Sequence, residues 1–296
     1  MLERQAQKNI FAPLVHAGII PRNPQPLTQH PMTFQLEEQL KCYRPHDLTD
    51  LSAATLMDRV DTKYILPLDC LPEILNALAA DFTAQVIDGS RVFSYENTYF
   101  DTPSQYCYLM HHNGLVSRYK VRHRRYLATQ TSFIEIKKKN NQFRTIKQRI
   151  QIQPDNVDWQ EVGAFVNEHT QGCFSELEPF QSINYQRITL ANEAVGERLT
   201  LDMNLSFQNL DTEKLVALPN LFIAELKQAR INLSSPFFAV MRNIGYRPLG
   251  FSKYSIACCI TSEGEIKKNN FKPVLLHLEK LARRSPNMEM LDVQRV

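Results

Sequence analysis

The 296-residue chain has no apolar run approaching the roughly 18 residues that a membrane-spanning helix needs, so no transmembrane segment is expected. Its opening stretch, MLERQAQKNIFAPLVHAGIIPRNPQP, lacks a basic region leading into an uninterrupted apolar segment, and no secretion signal is expected either. The six cysteines, at 42, 70, 107, 173, 258 and 259, form no CxxC pair and have no histidine at metal-ligand spacing. That argues against a disulfide framework or a zinc site and for reduced thiols in a cytoplasmic protein. No Ser or Cys catalytic triad is evident. The most informative shortage is of acid: between Arg118 and Arg149 there are eleven Lys or Arg and one carboxylate, Glu135, although the whole chain carries a formal charge of only +3. This is a focused positive field, not a generally basic protein.

With 43% apolar and 22% charged residues, the composition is globular and the length suffices for one large domain or two small ones. Residues 1–45 carry scattered prolines and weak periodicity and read as a loosely ordered arm. A short helix is expected in HDLTDLSAATLM, with Thr49 or Asp50 as its cap. RVDTKYIL alternates Arg59, Asp61 and Lys63 against Val60, Thr62 and Tyr64, which is a strand pattern. A helix follows in PLDCLPEILNALAADF. FTAQVID and RVFSYENTYFD then flank Asp88-Gly89 as a hairpin, and YCYLMHH makes a helical turn.

Three extended segments come next, LVSRYKVRHRRY, SFIEIKKK and RTIKQRIQI. Side chains alternate across a strand, so Arg118, Lys120, Arg122 and Arg124 share one face while Tyr119, Val121 and His123 share the other with Arg125. Likewise Phe133, Glu135, Lys137 and Lys139 lie together, and Thr145, Lys147 and Arg149 oppose Ile146, Ile150 and Ile152. After an amphipathic helix in VDWQEVGAFVNEH the pattern resumes in INYQRITL, ERLTLDMNL and LFIAELKQ. There Tyr185 goes with Arg187, Arg198 with Thr200 and Asp202, and Glu225 with Lys227. A helix from Ser234-Ser-Pro to Arg242, the segment FSKYSIACCI and a closing amphipathic helix in KPVLLHLEKLARR complete the chain.

A half-buried strand ordinarily turns its polar side to solvent, and that accounts for any one of these segments. Recurrence over six strands points elsewhere: a sheet closed with the charged faces inward makes a wet, cationic interior. A polyanion would satisfy it, because guanidinium groups match phosphate oxygens.

The ordered set RVDTKY, SYENTYFDT, HHNG, R-x-K-x-R-x-R-x-Y, FIEIKKK, K-x-R, Y-x-R, R-x-T-x-D, AELK and FSKYS, over roughly residues 48 to 262, resembles the vacuolar transporter chaperone (VTC) catalytic domain. That is the polyphosphate polymerase branch of the CYTH-like triphosphate tunnel metalloenzymes. The resemblance implies an α+β fold dominated by β, a closed antiparallel eight-stranded tunnel barrel with peripheral helices. It divides the chain into the arm at 1–45, a tunnel domain at 46–264 and a C-terminal helix and tail at 265–296.

The implied activity is transfer of the terminal phosphoryl group of ATP to a growing inorganic polyphosphate chain, with Mn²⁺ or Mg²⁺. Lys63, Arg122, Arg124, Arg187 and Lys253 would be catalytic. Arg59, Arg118, Lys120, Lys137, Lys147, Arg149, Tyr185, Arg198 and Ser252 would bind substrate, and Glu225 with Glu135 would hold the metal. The partners implied are ATP and inorganic phosphate or polyphosphate, with no sequence-specific nucleic acid; association with a separate membrane protein stays open. The hydrolytic tunnel enzymes carry E-x-E-x-K on the first strand, whereas Arg59-x-Asp61-x-Lys63 keeps one carboxylate and adds a cation, which favours a polymerase. The alternatives are a tunnel-fold triphosphate hydrolase and a non-catalytic module binding polyphosphate or nucleic acid. His111 and His112 read as a turn or a structural bond, Cys258 and Cys259 as packing residues, and Asp101 as the cap of the next turn.

Overall fold

The computed structural model describes residues 10–11, 31–47, 59–139 and 145–284. The helix expected near Thr49 and Asp50 lies outside the described residues. The strands are β1 Arg44–His46, β2 Val60–Pro67, β3 Thr83–Gln85, β4 Val92–Asp101, β5 Arg118–Tyr126, β6 Thr131–Lys139, β7 Thr145–Ile152, β8 Glu178–Asn192, β9 Glu197–Asn209 and β10 Leu215–Gln228. The helices are α1 Pro31–Leu40, α2 Leu71–Leu78, α3 Tyr106–His112, α4 Trp159–Thr170, α5 Pro236–Asn243, α6 Lys253–Thr261 and α7 Lys272–Arg284. Eight strands form one antiparallel path, β2-β10-β9-β8-β4-β5-β6-β7, while β3 pairs with β8 and, in parallel, with β1.

Helices cover the outer face of this sheet. Leu199, Leu201, Phe222, Ala224 and Leu226 pack with Leu71, Ile74, Leu75 and Leu78 of α2 and Phe237 of α5. On the other half, Val121, Ile134 and Ile136 pack with Trp159, Val162 and Val166 of α4. Each such side chain, fully buried, is worth about 1.5–3 kcal/mol, so the outer face supplies cohesion that the charged inner face cannot.

The hairpin expected at Asp88-Gly89 is only a turn. Both residues have positive φ, 48° and 80°, and a single bridge joins Ile87 to Ser90. β3 then leaves for β8, setting buried Ala84 opposite buried Leu190. Asp101 does cap α3: its carboxylate accepts the backbone N–H groups of Thr102, Cys107 and Tyr108 and the hydroxyl of Tyr254.

FSKYSIACCI contains α6, and α6 lies within the curl of the sheet. Tyr254 stacks on Tyr99 of β4 with ring centroids 5.2 Å apart, and Thr261 bonds Gln181 of β8. Ser252, the cap of α6, accepts from Lys120 of β5, and Lys253 pairs with Asp202 of β9. One helix thus touches the inner face of four strands. A phase change in β9 makes room for it. Asn204 has φ 50°, and the β8–β9 register shifts there. Before the bulge Leu199, Leu201 and Met203 point outward; after it Leu205 and Phe207 join the cluster that holds Ile256 and Ala257. One end of the lumen is therefore apolar and filled, and the other is charged.

The expectation of a closed eight-stranded barrel needs a correction. Among the described residues β2 and β7 end the path without pairing, and two further short strands bring the sheet to ten. Acceptors on β2 are engaged otherwise: Leu249 N–H donates to the Lys63 carbonyl at 2.8 Å, and His277 Nε2 bonds the Ile65 carbonyl at 3.1 Å. The sheet is curled even so: its inner face wraps α6, which meets Asp202 on β9, Tyr99 on β4 and, through Ser252, Lys120 on β5.

Candidate functional site

Register sets the charged lumen in cross-strand rows. Lys120, Lys137 and Lys147 stand side by side on β5, β6 and β7, and the next row holds Tyr99, Arg122, Glu135 and Arg149. Across the lumen, Lys63, Glu225 and Thr200 form a row on β2, β10 and β9, beside Asp202 and Arg187 on β9 and β8. Like charges directly opposite are repulsive, so a row of three lysines is costly when all are charged, and the outer face provides the packing that offsets it.

Four carboxylates on the charged part of the inner face are already held by cations. Glu225 accepts from Lys63 at 2.8 Å and Lys227 at 2.7 Å. Glu135 accepts from Arg122 on one oxygen, at 2.5 Å, and its other oxygen is ion-paired with Lys147 at 2.5 Å. Asp202 accepts from Arg187 at 2.5 and 2.8 Å and from Lys253. Asp61 accepts from Arg59 at 2.9 Å. Burial alone would raise the Glu225 carboxyl, but the ammonium groups of Lys227 and Lys63 outweigh it and hold the group well below the usual range.

Cations remain in excess. Lys120 donates only to the Ser252 hydroxyl, and among the described residues neither it nor Lys137 is ion-paired. Burial, then the charges of Lys137 and Arg118, push the Lys120 ammonium far below its ordinary value; burial lowers Lys137 as well. Arg198 Nε is buried without a hydrogen-bond partner, and Arg149 lies over the Phe133 ring at 4.7 Å.

The residues expected to be catalytic or substrate-binding therefore divide into two groups, with Arg59 and Arg118 outside both. Arg122, Arg124, Arg187 and Tyr185 form a rigid framework: Arg122 also donates to Tyr99, Arg124 to Asn97 and Tyr185, and Tyr185 stacks on Tyr95 beneath Lys253. Lys63, Lys120, Lys137, Lys147, Arg149, Arg198, Ser252 and Lys253 face the lumen from different sides. Arg59 lies just before β2, and Arg118, at the start of β5, donates to the Leu115 carbonyl. Sequence reasoning gave no site role to Asp202, Lys227, Tyr95 or Asn97. The alternation in R-x-T-x-D and AELK already placed Asp202 and Lys227 inward, but only cross-strand partners reveal what they hold.

Among the described residues no group of three or more His, Cys, Asp and Glu could hold a metal. Glu225 and Glu135 are on different strands, each engaged by two cations. A single carboxylate still suits Mg²⁺ or Mn²⁺, which take one or two protein carboxylates and complete their shells with waters and substrate phosphates. Of the two, Glu225 fits better, since Lys63 and Lys227 can turn to phosphate oxygens, while Glu135 is clamped by the Arg122 fork. No helix among the described residues is long and apolar enough to cross a membrane.

The crowded ammonium groups make a testable signature. Burial pulls Lys147 and Lys227 down to about 8, although Glu135 and Glu225 oppose the shift. In an unfolded chain both titrate near about 10.4. Between about pH 8 and about pH 10 the unfolded state then binds more protons, so stability rises with pH. Melting temperature measured from pH 7 to 10 is expected to climb, and saturating tripolyphosphate, by neutralising the row, should raise it most at the low end and flatten the slope.

Fold and site together define a curled antiparallel sheet around a cationic lumen suited to phosphate oxygens. The VTC domain family matches residues 58–262, and the chain belongs to that family. A comparison with curated proteins finds no match. Among solved structures, a candidate adenylyl cyclase from Hippeastrum described with a dominant triphosphatase activity is 16% identical with a TM-score of 0.43, covering 69% of this chain and 97% of its own. A candidate adenylate cyclase from Vibrio parahaemolyticus is 12% identical with a TM-score of 0.42, covering 68% and 97%. At these values the likeness transfers no substrate.

Proposed function

We propose that the chain is a cytoplasmic, metal-dependent polyphosphate polymerase that moves the terminal phosphoryl group of ATP onto an inorganic polyphosphate chain. The observation that carries this reading is the surplus of buried lysine amino groups in the lumen that have no carboxylate partner among the described residues, Lys120 and Lys137 above all, where Glu225, Glu135 and Asp202 are already held by other cations. A polyanion with charge on every repeat supplies what such a lumen needs. In this reading residues 46–264 form the working domain, and the seam between β2 and β7 closes around the bound chain.

The chemistry asks little of the protein beyond placement and charge. A terminal oxygen of the acceptor attacks the γ-phosphorus as the bond to ADP breaks, and the electron pair leaves on the β-phosphate. Lys63, Lys253, Lys120 and Ser252, near the N-terminus of α6, place the γ-phosphate; the three lysines neutralise its equatorial oxygens and Ser252 donates a hydrogen bond. Arg122, Arg124 and Arg187 keep the lumen open by holding its wall. Arg149, Lys147, Lys137, Arg118 and Arg198 guide the chain. A divalent ion carried on the nucleotide and held by Glu225 would neutralise phosphate charge.

Hydrolysis is the weaker alternative, because the Asp61 carboxylate is engaged by Arg59, leaving the first strand without a free acid. Incubation with ATP and Mn²⁺ or Mg²⁺ is expected to yield acid-labile phosphate polymer. Release of free phosphate without chain growth would mean a hydrolase, and binding with neither product would mean a passive module.

A further inference from the structure

Lys120 stands at the inner end of a hydrogen-bond chain that phosphate binding alone does not explain. Its Nζ is 2.8 Å from Ser252 Oγ, which is 3.0 Å from Ser255 Oγ, which is 2.7 Å from His111 Nδ1. Three elements contribute, β5, α6 and α3, and the chain runs from the lumen to a half-buried imidazole. Capping α6 requires only that Ser252 accept the Ser255 N–H. The Ser255 hydroxyl and the histidine are surplus to that role.

Such a chain has two polarities. A charged Lys120 can only donate, so Ser252 and Ser255 pass their hydrogens outward and His111 accepts at Nδ1, with its own hydrogen on Nε2. A neutral Lys120 accepts from Ser252, both hydroxyls turn round, and His111 donates from Nδ1. The groups around Lys120 are Arg118 and Arg122 on its strand, Lys137 of β6, Lys63 of β2, and the thiols of Cys107 in α3 and Cys258 in α6. Around His111 are Lys120, Arg118, Lys139 and Lys137, with Phe271 edge-on at 5.5 Å. Burial and then those cations hold the imidazole well below its ordinary value, so it stays neutral. Cations crowd the inner end as well, so an uncharged Lys120 relieves repulsion until an anion arrives.

We propose that Lys120, Ser252, Ser255 and His111 form a proton wire that charges Lys120 when a phosphate chain enters the lumen. His111 Nε2 takes a proton from solvent while its Nδ1 proton passes to Ser255, the Ser255 hydroxyl proton to Ser252, and the Ser252 proton to the Lys120 amine. The ring ends neutral, with its tautomer exchanged, and one positive charge has been delivered to Nζ. Lys120 is then the residue whose charge matches the lumen to its guest, and His111 is a positioning residue that touches no phosphate. This inference rests on the phosphate-chain reading of the lumen.

The test uses the whole chain with tripolyphosphate at neutral pH. Calorimetry in buffers of different ionisation enthalpy should give an uptake of about one proton per bound tripolyphosphate, falling to nearly none in Lys120→Arg, because a guanidinium is always charged. Nitrogen NMR of the imidazole in the unsubstituted protein should show His111 exchanging its Nδ1–H form for the Nε2–H form on binding. Equal uptake in Lys120→Arg, or an unchanged tautomer, overturns the wire while leaving polyphosphate binding intact. Failure of the unsubstituted protein to bind tripolyphosphate overturns the phosphate-chain reading itself.

Discussion

Glu225→Gln lowers the rate of phosphoryl transfer by about 100- to 1000-fold, the scale on which a single preorganised electrostatic group acts in catalysis, while tripolyphosphate binding is kept or tightened. The two halves of that result have one cause. Glu225 is the acceptor shared by Lys63 and Lys227, and in the proposed function it is the carboxylate that meets a divalent ion carried on a nucleotide. Its amide keeps the shape and loses the charge, so both ammonium groups are released toward phosphate. Binding therefore gains what catalysis loses. Steady-state turnover and titration calorimetry on one preparation separate the outcomes: a fall in both would make Glu225 a structural ion-pair member, and no change in either would make the lumen a passive binder.

Asp202→Ala destabilises the fold by about 3–5 kcal/mol, the usual consequence of removing one partner from a buried ion pair, and melting temperature falls on the order of 10 °C. Asp202 is only 1% exposed and holds the Arg187 fork and the Lys253 ammonium together. Its loss leaves two cations side by side over the Tyr185 ring and removes the ion pair between α6 and β9, whose apolar contacts remain. Because the excess is positive, tripolyphosphate should raise the melting temperature of the variant more than that of the unsubstituted protein. An ordinary core defect would not respond in that way.

Asp202 also sets the acid limit. Burial would raise its carboxyl, but Arg187 and Lys253 hold it well below the usual range, as Arg122 and its neighbours do for Glu135. A depressed carboxylate stabilises fully above its unfolded value near about 4, and that stability drains away as pH falls toward the folded value. The fall of melting temperature with acid should be smaller in Asp202→Ala than in the unsubstituted protein, the remainder being the share due to Glu135 and Glu225.

Much of the site was legible because a strand's period of two is insensitive to tertiary context. Arg118, Lys120, Arg122 and Arg124 do share a face, as do Glu135, Lys137 and Lys139, and Lys138 turns away to lie over the outer Tyr119 ring. The framework role of Arg122, Arg124 and Arg187 was not legible, because it depends on acceptors 13 to 61 positions distant in the chain, among them Glu135, Asp202 and Tyr185. The turn at Asp88-Gly89 was legible but the strand pairing around it was not: local φ preference makes the reversal there, while burial of Ala84 against β8 chooses the strand partner.

By itself the sequence determined which side chains travel together: alternation assigns every residue of a strand to one of two faces. It left open which face is concave. Tertiary structure decided that, through the reversal at Asn204 and the seating of α6 against Tyr99, Gln181 and Asp202, which turn half of the lumen into core and leave the rest to charge. The physical reason is that one residue of positive φ inverts the phase of all that follow, a change without a signature in composition or period, whose sign is fixed only by what packs on either side.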